Sequence, residues 1–363
     1  MPPTTLPILS EAEKADRVRG VVQQAGDDLR RRYPILKHQN AIGASILIVS
    51  LLGMIGTAWL YNADFIAWWL CIPVVALLAS FTHELEHDLI HLMYFRKNPL
   101  AHNLMMWGVW LARPSTISPW ARRRLHFNHH KHSGTEADLE ERAITNGETW
   151  GLRRLLMTGD LMLAVYLRPI TIHKTMRHFL KVQKVSTYAE RRAILREQLL
   201  SYWPLTIVHY TLWHGFIVYH GLQLAGVSVP WPSFVAPAMH GVDFLAVVLL
   251  APNALRTFCL HFISSNMHYY GDVNPDSVVE QCQVLNSPWV LPFNLFCFNF
   301  GSTHAIHHFV VKEPFYLRQM TAGRAHRVMR EVGVRFNDFG SFTRANRFHP
   351  LPSRAPSGSV TPA

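Results

Sequence analysis

Long apolar runs alternate along this chain with strongly charged stretches. The runs are longer than ordinary core helices need. Residues 41–61 read AIGASILIVSLLGMIGTAWLY, with no charge among them. As a helix rising 1.5 Å per residue, such a run reaches about 31 Å, the thickness of a bilayer core. Asn62, Ala63 and Asp64 make a tight turn, and residues 65–82 (FIAWWLCIPVVALLASFT) form a second run with Trp68 and Trp69 near its outer end. Residues 203–226 and 234–255 make two further candidate spans, interrupted by Gly, Pro and His. The run 100–112 is too short to cross and predicts an interfacial or re-entrant segment.

Charge then orients these elements. No Lys or Arg occurs in 41–95 or in 201–255; all lie in 1–40, 96–200 or 256–363. Cytoplasmic segments of membrane proteins collect Lys and Arg, so those three blocks are expected inside and the turns at 62–64 and 227–233 outside. The expectation is an all-α integral membrane protein with four transmembrane helices in two hairpins and both termini cytoplasmic. Its parts are an N-terminal cytoplasmic segment (1–40), a membrane catalytic domain (41–345) and a flexible Pro/Ser-rich tail (346–363).

Composition agrees. The chain is 49% hydrophobic and only 16% charged, against roughly 25% charged in an average soluble protein. Lys and Arg outnumber Asp and Glu by 35 to 24. A basic balance can mean nucleic acid, but charge sorted into blocks fits membrane orientation, and no nucleic-acid partner is expected. Cys71, Cys259, Cys282 and Cys297 form no CxxC pair, so zinc-ribbon and thioredoxin-type chemistry is excluded and all four read as reduced thiols. The N-terminus lacks the basic start and apolar core of a signal peptide.

The 22 histidines carry the chemistry. Three clusters stand out: His83-Glu84-Leu85-Glu86-His87, continuing to His91; His126-Phe127-Asn128-His129-His130; and His304-Ala305-Ile306-His307-His308. Residues three and four apart share a helix face, so each cluster can aim its imidazoles at one point. Neutral imidazole ligates iron, zinc or copper. Eight such ligands exceed the four that one zinc takes, and point to a pair of metals. His91 and His132 extend two clusters without being needed to complete them, and read as supporting or surface histidines.

The motifs HELEH, HFNHH and HAIHH resemble the three histidine boxes of the membrane fatty acid desaturase and hydroxylase superfamily, over roughly residues 40–320. The resemblance implies four spans beneath a cytoplasmic helical cap that holds two iron ions. It makes His83, His87, His126, His129, His130, His304, His307 and His308 the ligands. Asn266-Met267-His268-Tyr269-Tyr270-Gly271 resembles the HYG-containing stretch of the hydroxylase branch and nominates His268 as a ninth, with His261 reading as an interface histidine. Ligating imidazoles usually donate their other N–H to a carboxylate. Asp138 and Glu140 match an acidic pattern of the family, and Glu84, Asp88 and Asp272 lie near the boxes.

The implied activity is O2-dependent oxidation of a fatty acid or acyl chain in a bacterial inner membrane, with the metal site cytoplasmic. The full set HELEHDLIH, HFNHHKHSGTEADLEERAITNGE and NFGSTHAIHHF is similar to bacterial desaturase-like enzymes that turn medium-chain fatty acids into 1-alkenes. Desaturation and hydroxylation of an alkane or acyl chain are the alternatives. No haem-binding HPGG and no iron–sulfur cysteine set is present, so electrons are expected from a separate ferredoxin, rubredoxin or cytochrome with its reductase. Two readings of other classes compete. HELEH is also the HExxH of zinc proteases, with Asn274-Pro275-Asp276 as a distant aspartate motif, but that leaves two HxxHH motifs unused. His209, His214, His220 and His240 in the third and fourth spans suggest a metal transporter, but such paths place ligands near the midplane, away from the three clusters.

Overall fold

The computed structural model describes residues 9–350 except 143, 146, 160–165, 168–172, 174, 175, 178, 179, 182 and 183. Among the described residues the protein is helical, with isolated backbone bridges and no strand. Residues 351–363, the greater part of the expected tail, lie outside this set.

Helix α1 (Glu11–Arg32) opens with a reciprocal cap between Ser10 and Glu13. Two long helices follow, α2 (Gln39–Asn62) and α3 (Trp68–Ile90), then α4 (Pro99–Ala112) and α5 (Pro119–His132). Ser118 caps α5 through Ala121 N, and Pro119 occupies its first turn, where a missing N–H is harmless. The short α6 (Leu139–Arg142) and α7 (Leu152–Met157) precede α8 (Tyr188–Leu200) and α9 (Leu205–Leu224). Next come α10 (Val235–Leu245) and α11 (Ala251–Met267), joined without a break by a π-helical turn at Ala246–Leu250. The cap is completed by α12 (Leu291–Leu295), α13 (Phe300–Phe309) and α14 (Phe315–Glu331).

Among the described residues, three helices are long and apolar enough to cross a membrane: Gln39–Asn62, Trp68–Ile90 and Val235–Met267. The outer face of α2 exposes Ile48, Val49, Leu52, Ile55 and Trp59, while Gly43, Leu47, Ser50, Met54 and Thr57 turn inward. The other expected span, 203–226, is present as the 20-residue α9. His209, His214 and His220 dilute its apolar character, and it does not join the three. A second difference concerns α3. The expected span ended at residue 82, but the helix runs unbroken to Ile90. The first histidine cluster therefore sits on the membrane helix itself, and every residue from Thr82 to Ile90 is buried.

The cap core joins Val18 and Val22 of α1, Ile263 and Met267 of α11, Ala305 and Ile306 of α13, and Ala325 and Met329 of α14. At roughly 25 cal/mol per Å2 of apolar surface removed from water, burying each larger side chain contributes about 1.5–3 kcal/mol. Helix α13 packs closely. A Cβ at Gly301 would stand 2.7 Å from Leu285 O and 2.8 Å from Asn294 Oδ1. Gly301 N donates to that same Asn294 Oδ1 at 3.0 Å. This fixes the start of the helix that carries the third histidine cluster.

Candidate metal centre

Four elements bring the histidines together. Helix α3 supplies His87, and His91 follows at its C-cap. Helix α5 supplies His126, His129 and His130. His268 caps the end of α11, and α13 supplies His304, His307 and His308. Their nitrogens form two groups. In one, atoms of His87, His91, His126 and His307 all lie within 4.8 Å of one another; in the other, those of His129, His268, His304 and His308 do. His130 stands at their junction. Its Nε2 is 3.0 Å from Nε2 of His126 and 3.0 Å from Nε2 of His307, and its ring centroid is 5.2 Å from that of His308.

The spacing suits a metal. With a metal–nitrogen bond of about 2.1 Å, ligands at right angles stand about 3.0 Å apart. Nε2 of His307 is 3.0 Å from Nε2 of His91, and Nε2 of His308 is 3.2 Å from Nε2 of His304. Nε2 of His87 and Nε2 of His129 are buried with no hydrogen-bond partner among the described residues. Such orphaned acceptors are costly in a dry interior unless a cation meets them.

The outer nitrogens are held by other side chains. His126 Nδ1 lies 2.8 Å from Glu140 Oε2, and His129 Nδ1 lies 2.9 Å from Asp138 Oδ2. These two pairings place the Nδ1 proton toward the carboxylate and leave Nε2 free to ligate. His268 Nδ1 is 2.8 Å from Ser264 O and 3.4 Å from Glu141 Oε2. His308 Nδ1 is 2.9 Å from Gln281 Oε1, and His307 Nδ1 lies 2.6 Å from Arg318 Nη1. Arg318 also bonds Glu84 and Asp88, at 3.3 and 3.2 Å.

Burial keeps most of these imidazoles neutral, the form a metal requires. It holds His304, His307 and His308 well below the usual histidine range and pushes His91 down to about 2 and His268 down to about 3. His129 is the exception. Burial opposes its charge, but Asp138, helped by Glu140 and Glu141, outweighs burial and raises it to about 9. Burial likewise opposes the charge of Glu140, and His126 with Arg122 overcomes it and holds that carboxyl well below its ordinary value. Glu141 goes the other way, raised by burial to about 8.

Two sequence expectations land elsewhere. His83 belongs to neither group. Its Nδ1 faces Arg113 Nη1 at 3.3 Å and Arg122 Nη1 at 3.4 Å, and its ring lies against Phe300. A guanidinium can only donate, so these two contacts occupy Nδ1 as an acceptor. The neighbour that joins His87 is His91, which the sequence reading set aside. The reason is rotational: each four-residue step turns about 40° around a helix. His87 can therefore share its face with His83 or with His91, and the packing of α5 and α13 selects His91. Asp272 is likewise distant in role. Its carboxylate accepts from Phe348 N at 2.7 Å and His349 N at 2.9 Å, anchoring the segment that follows the cap.

His132 joins neither group, and His261 Nδ1 meets Thr158 O at 3.2 Å. His214 Nδ1 meets Tyr210 O, and His220 meets Asp243 at 2.6 Å, so the intramembrane histidines do not gather into a group of their own among the described residues. Glu141, Gln281 and Arg318 are the contacts that sequence reasoning missed. Glu141 was detectable as the carboxylate beside Glu140. Arg318 and Gln281 carry no local signal, because only the packing of α14 and of the loop before α12 brings them in.

Comparison with known proteins decides the family. A family model described as fatty acid desaturase matches residues 63–340, more than three-quarters of the chain. The chain belongs to the fatty acid desaturase family. No curated protein matches it. Membership makes this protein a membrane oxidoreductase that acts on fatty acyl chains, and its paired histidine groups fit the metal site such chemistry requires. It also leaves the HExxH protease reading without support, since His83 and His87 do not converge on one point.

Proposed function

We propose that this desaturase-family protein binds two iron ions, uses O2 to oxidise a medium-chain fatty acid, and releases a terminal 1-alkene. The observation that supports the dinuclear reading most is the pair of four-histidine groups with His130 between them. On this reading His87, His91, His126 and His307 would hold one ion and His129, His268, His304 and His308 the other, with His130 at the junction of the two groups. The ions supply the redox chemistry, activating O2 against an unactivated C–H bond.

The chain's own residues do the rest. Asp138 and Glu140 fix the ring orientations of His129 and His126, and Arg318 ties α14 to α3 beneath the centre. The buried cap excludes water from the reacting carbon. The overall step balances as follows. The acid loses a β-hydrogen and its carboxyl group, which leaves as CO2, and the Cα–Cβ bond becomes double. Two electrons from the substrate and two from an external donor reduce O2 to two waters. A ferredoxin, rubredoxin or cytochrome with its reductase fits the donor role, and the basic cytoplasmic blocks suit an acidic partner.

The proposed topology has four spans, α2, α3, α9 and the α10–α11 helix, in two hairpins with the histidines and both termini on the cytoplasmic side of a bacterial inner membrane. The sorting of Lys and Arg supports it. The test is to express the chain in a bacterium, feed dodecanoic acid, and analyse headspace and lipid by gas chromatography–mass spectrometry beside a His129→Ala control. A volatile alkene one carbon shorter than the acid, absent from the control, is expected. A new unsaturated or hydroxylated chain of full length would refute decarboxylation and leave the desaturase or hydroxylase chemistry of the same site.

A further inference from the structure

A second buried polar site lies beside the histidines, where the spans meet the cap. Arg113 and Arg256 are each 0% exposed, deep between helices. Arg113 and Arg122 share one carboxylate, Glu86. Arg256 Nη2 donates to Thr257 Oγ1 at 2.8 Å and to Ser115 Oγ at 3.4 Å, and those two hydroxyls are 3.2 Å apart. Helix α9 is drawn onto the same loop: Thr206 Oγ1 donates to Thr116 O at 2.6 Å, and Tyr210 OH donates to Ser115 O at 3.0 Å.

Among the described residues, this region holds buried polar atoms without a hydrogen-bond partner. His209 is 2% exposed, and neither of its ring nitrogens has a hydrogen-bond partner among the described residues. Arg113 Nε and Asn253 Oδ1 are likewise buried and unpartnered among the described residues. Asn253 sits one turn beyond the π-helical turn at Ala246–Leu250 and donates to Leu249 O and Ala112 O. A π turn inside an α-helix is a frequent mark of a functional site. Burial, with Arg256 and Arg122 alongside, makes the charge on Arg113 costly, and an anion placed there would relieve that cost.

The site is adjacent to the metal centre. Arg113 reaches His83, which precedes His87 by four residues, about 6 Å along the helix. An anionic head held here would set the first carbons of its chain toward the histidines, while the rest of the chain extends among the spans. We propose that Arg113, Arg256, His209 and the hydroxyls of Ser115 and Thr257 form the receptor for the carboxylate of a free fatty acid. The substrate class is then the unesterified acid rather than a thioester, an ester or an alkane, and oxidation falls near the carboxyl end. This inference rests on the acyl-oxidation reading of the centre and specifies its substrate.

The test uses the full-length iron-loaded protein in lipid nanodiscs. Radiolabelled dodecanoate is bound, then displaced by unlabelled dodecanoate, 1-dodecanol or methyl dodecanoate. The acid should displace at a concentration at least ten-fold lower than the alcohol or the ester. His209→Leu and Arg256→Gln should shrink that gap below three-fold with iron content unchanged, and Arg256→Lys should keep part of it. If Arg256→Gln does not fold, Thr257→Val and His209→Leu carry the same comparison. Equal potency of acid, alcohol and ester on the unaltered protein, or an unchanged gap in the folded variants, would overturn the proposal. Oxidation assays separate the two claims. If a thioester or alkane is oxidised and the acid is not, the receptor is wrong and the oxidase reading stands. If dodecanoate binds with the expected selectivity but is never oxidised, the reverse holds.

Discussion

Replacing His91 and His83 separately tests which member of the α3 cluster serves the metal. In His91→Ala one of the four nitrogen donors of its group is gone. Changes to groups that merely support a ligand cost 10- to 100-fold in metal affinity. Loss of a ligand should therefore cost at least about 100-fold, roughly 2.8 kcal/mol at about 1.4 kcal/mol per tenfold. His83→Ala acts differently. It removes an acceptor that two guanidiniums share at 3.3 and 3.4 Å. Hydrogen bonds to charged groups contribute about 1.5–3 kcal/mol, and these contacts are long, so the lower end applies. The assay pairs iron content by plasma mass spectrometry with thermal melting of the purified variants. His91→Ala should fall to about one iron per chain and lose turnover. His83→Ala should keep its iron and melt at a lower temperature, and His83→Gln, which restores an acceptor, should recover part of that loss. Full iron in His91→Ala together with lost iron in His83→Ala would refute the geometric assignment and restore the sequence-based one.

Other outcomes follow from the same contacts. Asp138→Asn keeps a hydrogen-bonding group beside His129 but removes its charge, and should lower iron affinity or turnover by 10- to 100-fold; unchanged values would remove Asp138 from the site. Asp272→Ala should leave iron unaffected while costing about 1–3 kcal/mol in thermal stability, because Phe348 N and His349 N lose their acceptor; a fall in iron content would return Asp272 to the centre. Gly301→Ala should destabilise by about 1–3 kcal/mol and reduce iron loading, since its Cβ would press on Leu285 O and shift α13; a protein with normal iron and melting would show that α13 tolerates the shift.

How much of this was legible in the sequence depended on whether the signal was local. The two HxxHH motifs fall on α5 and α13, where spacings of three and four put their imidazoles on one face. His268 was found through its resemblance to a known stretch, and the structure brings it into the second group. The choice between His83 and His91 was not local. Both are four residues from His87, and only the neighbours of α3 decide between them. Arg318 and Gln281 come from segments far along the chain, and nothing near the boxes announces them. Asp272 shows the opposite error: proximity in sequence to His268 suggested a partnership, but the chain turns at Gly271, where φ is +90°, and Asp272 instead meets residues 348 and 349. The long apolar runs gave the membrane helices directly. The histidines in α9 blurred the remaining one, because they lower its apolarity.

The most direct test of the central claim is the metal content of the intact, membrane-extracted protein, measured by plasma mass spectrometry against quantitative amino-acid analysis. A dinuclear centre built from two four-histidine groups and His130 predicts two iron ions per chain, falling together with activity in His130→Ala. A single zinc per chain, or no bound transition metal in a protein that still oxidises a fatty acid, would contradict it.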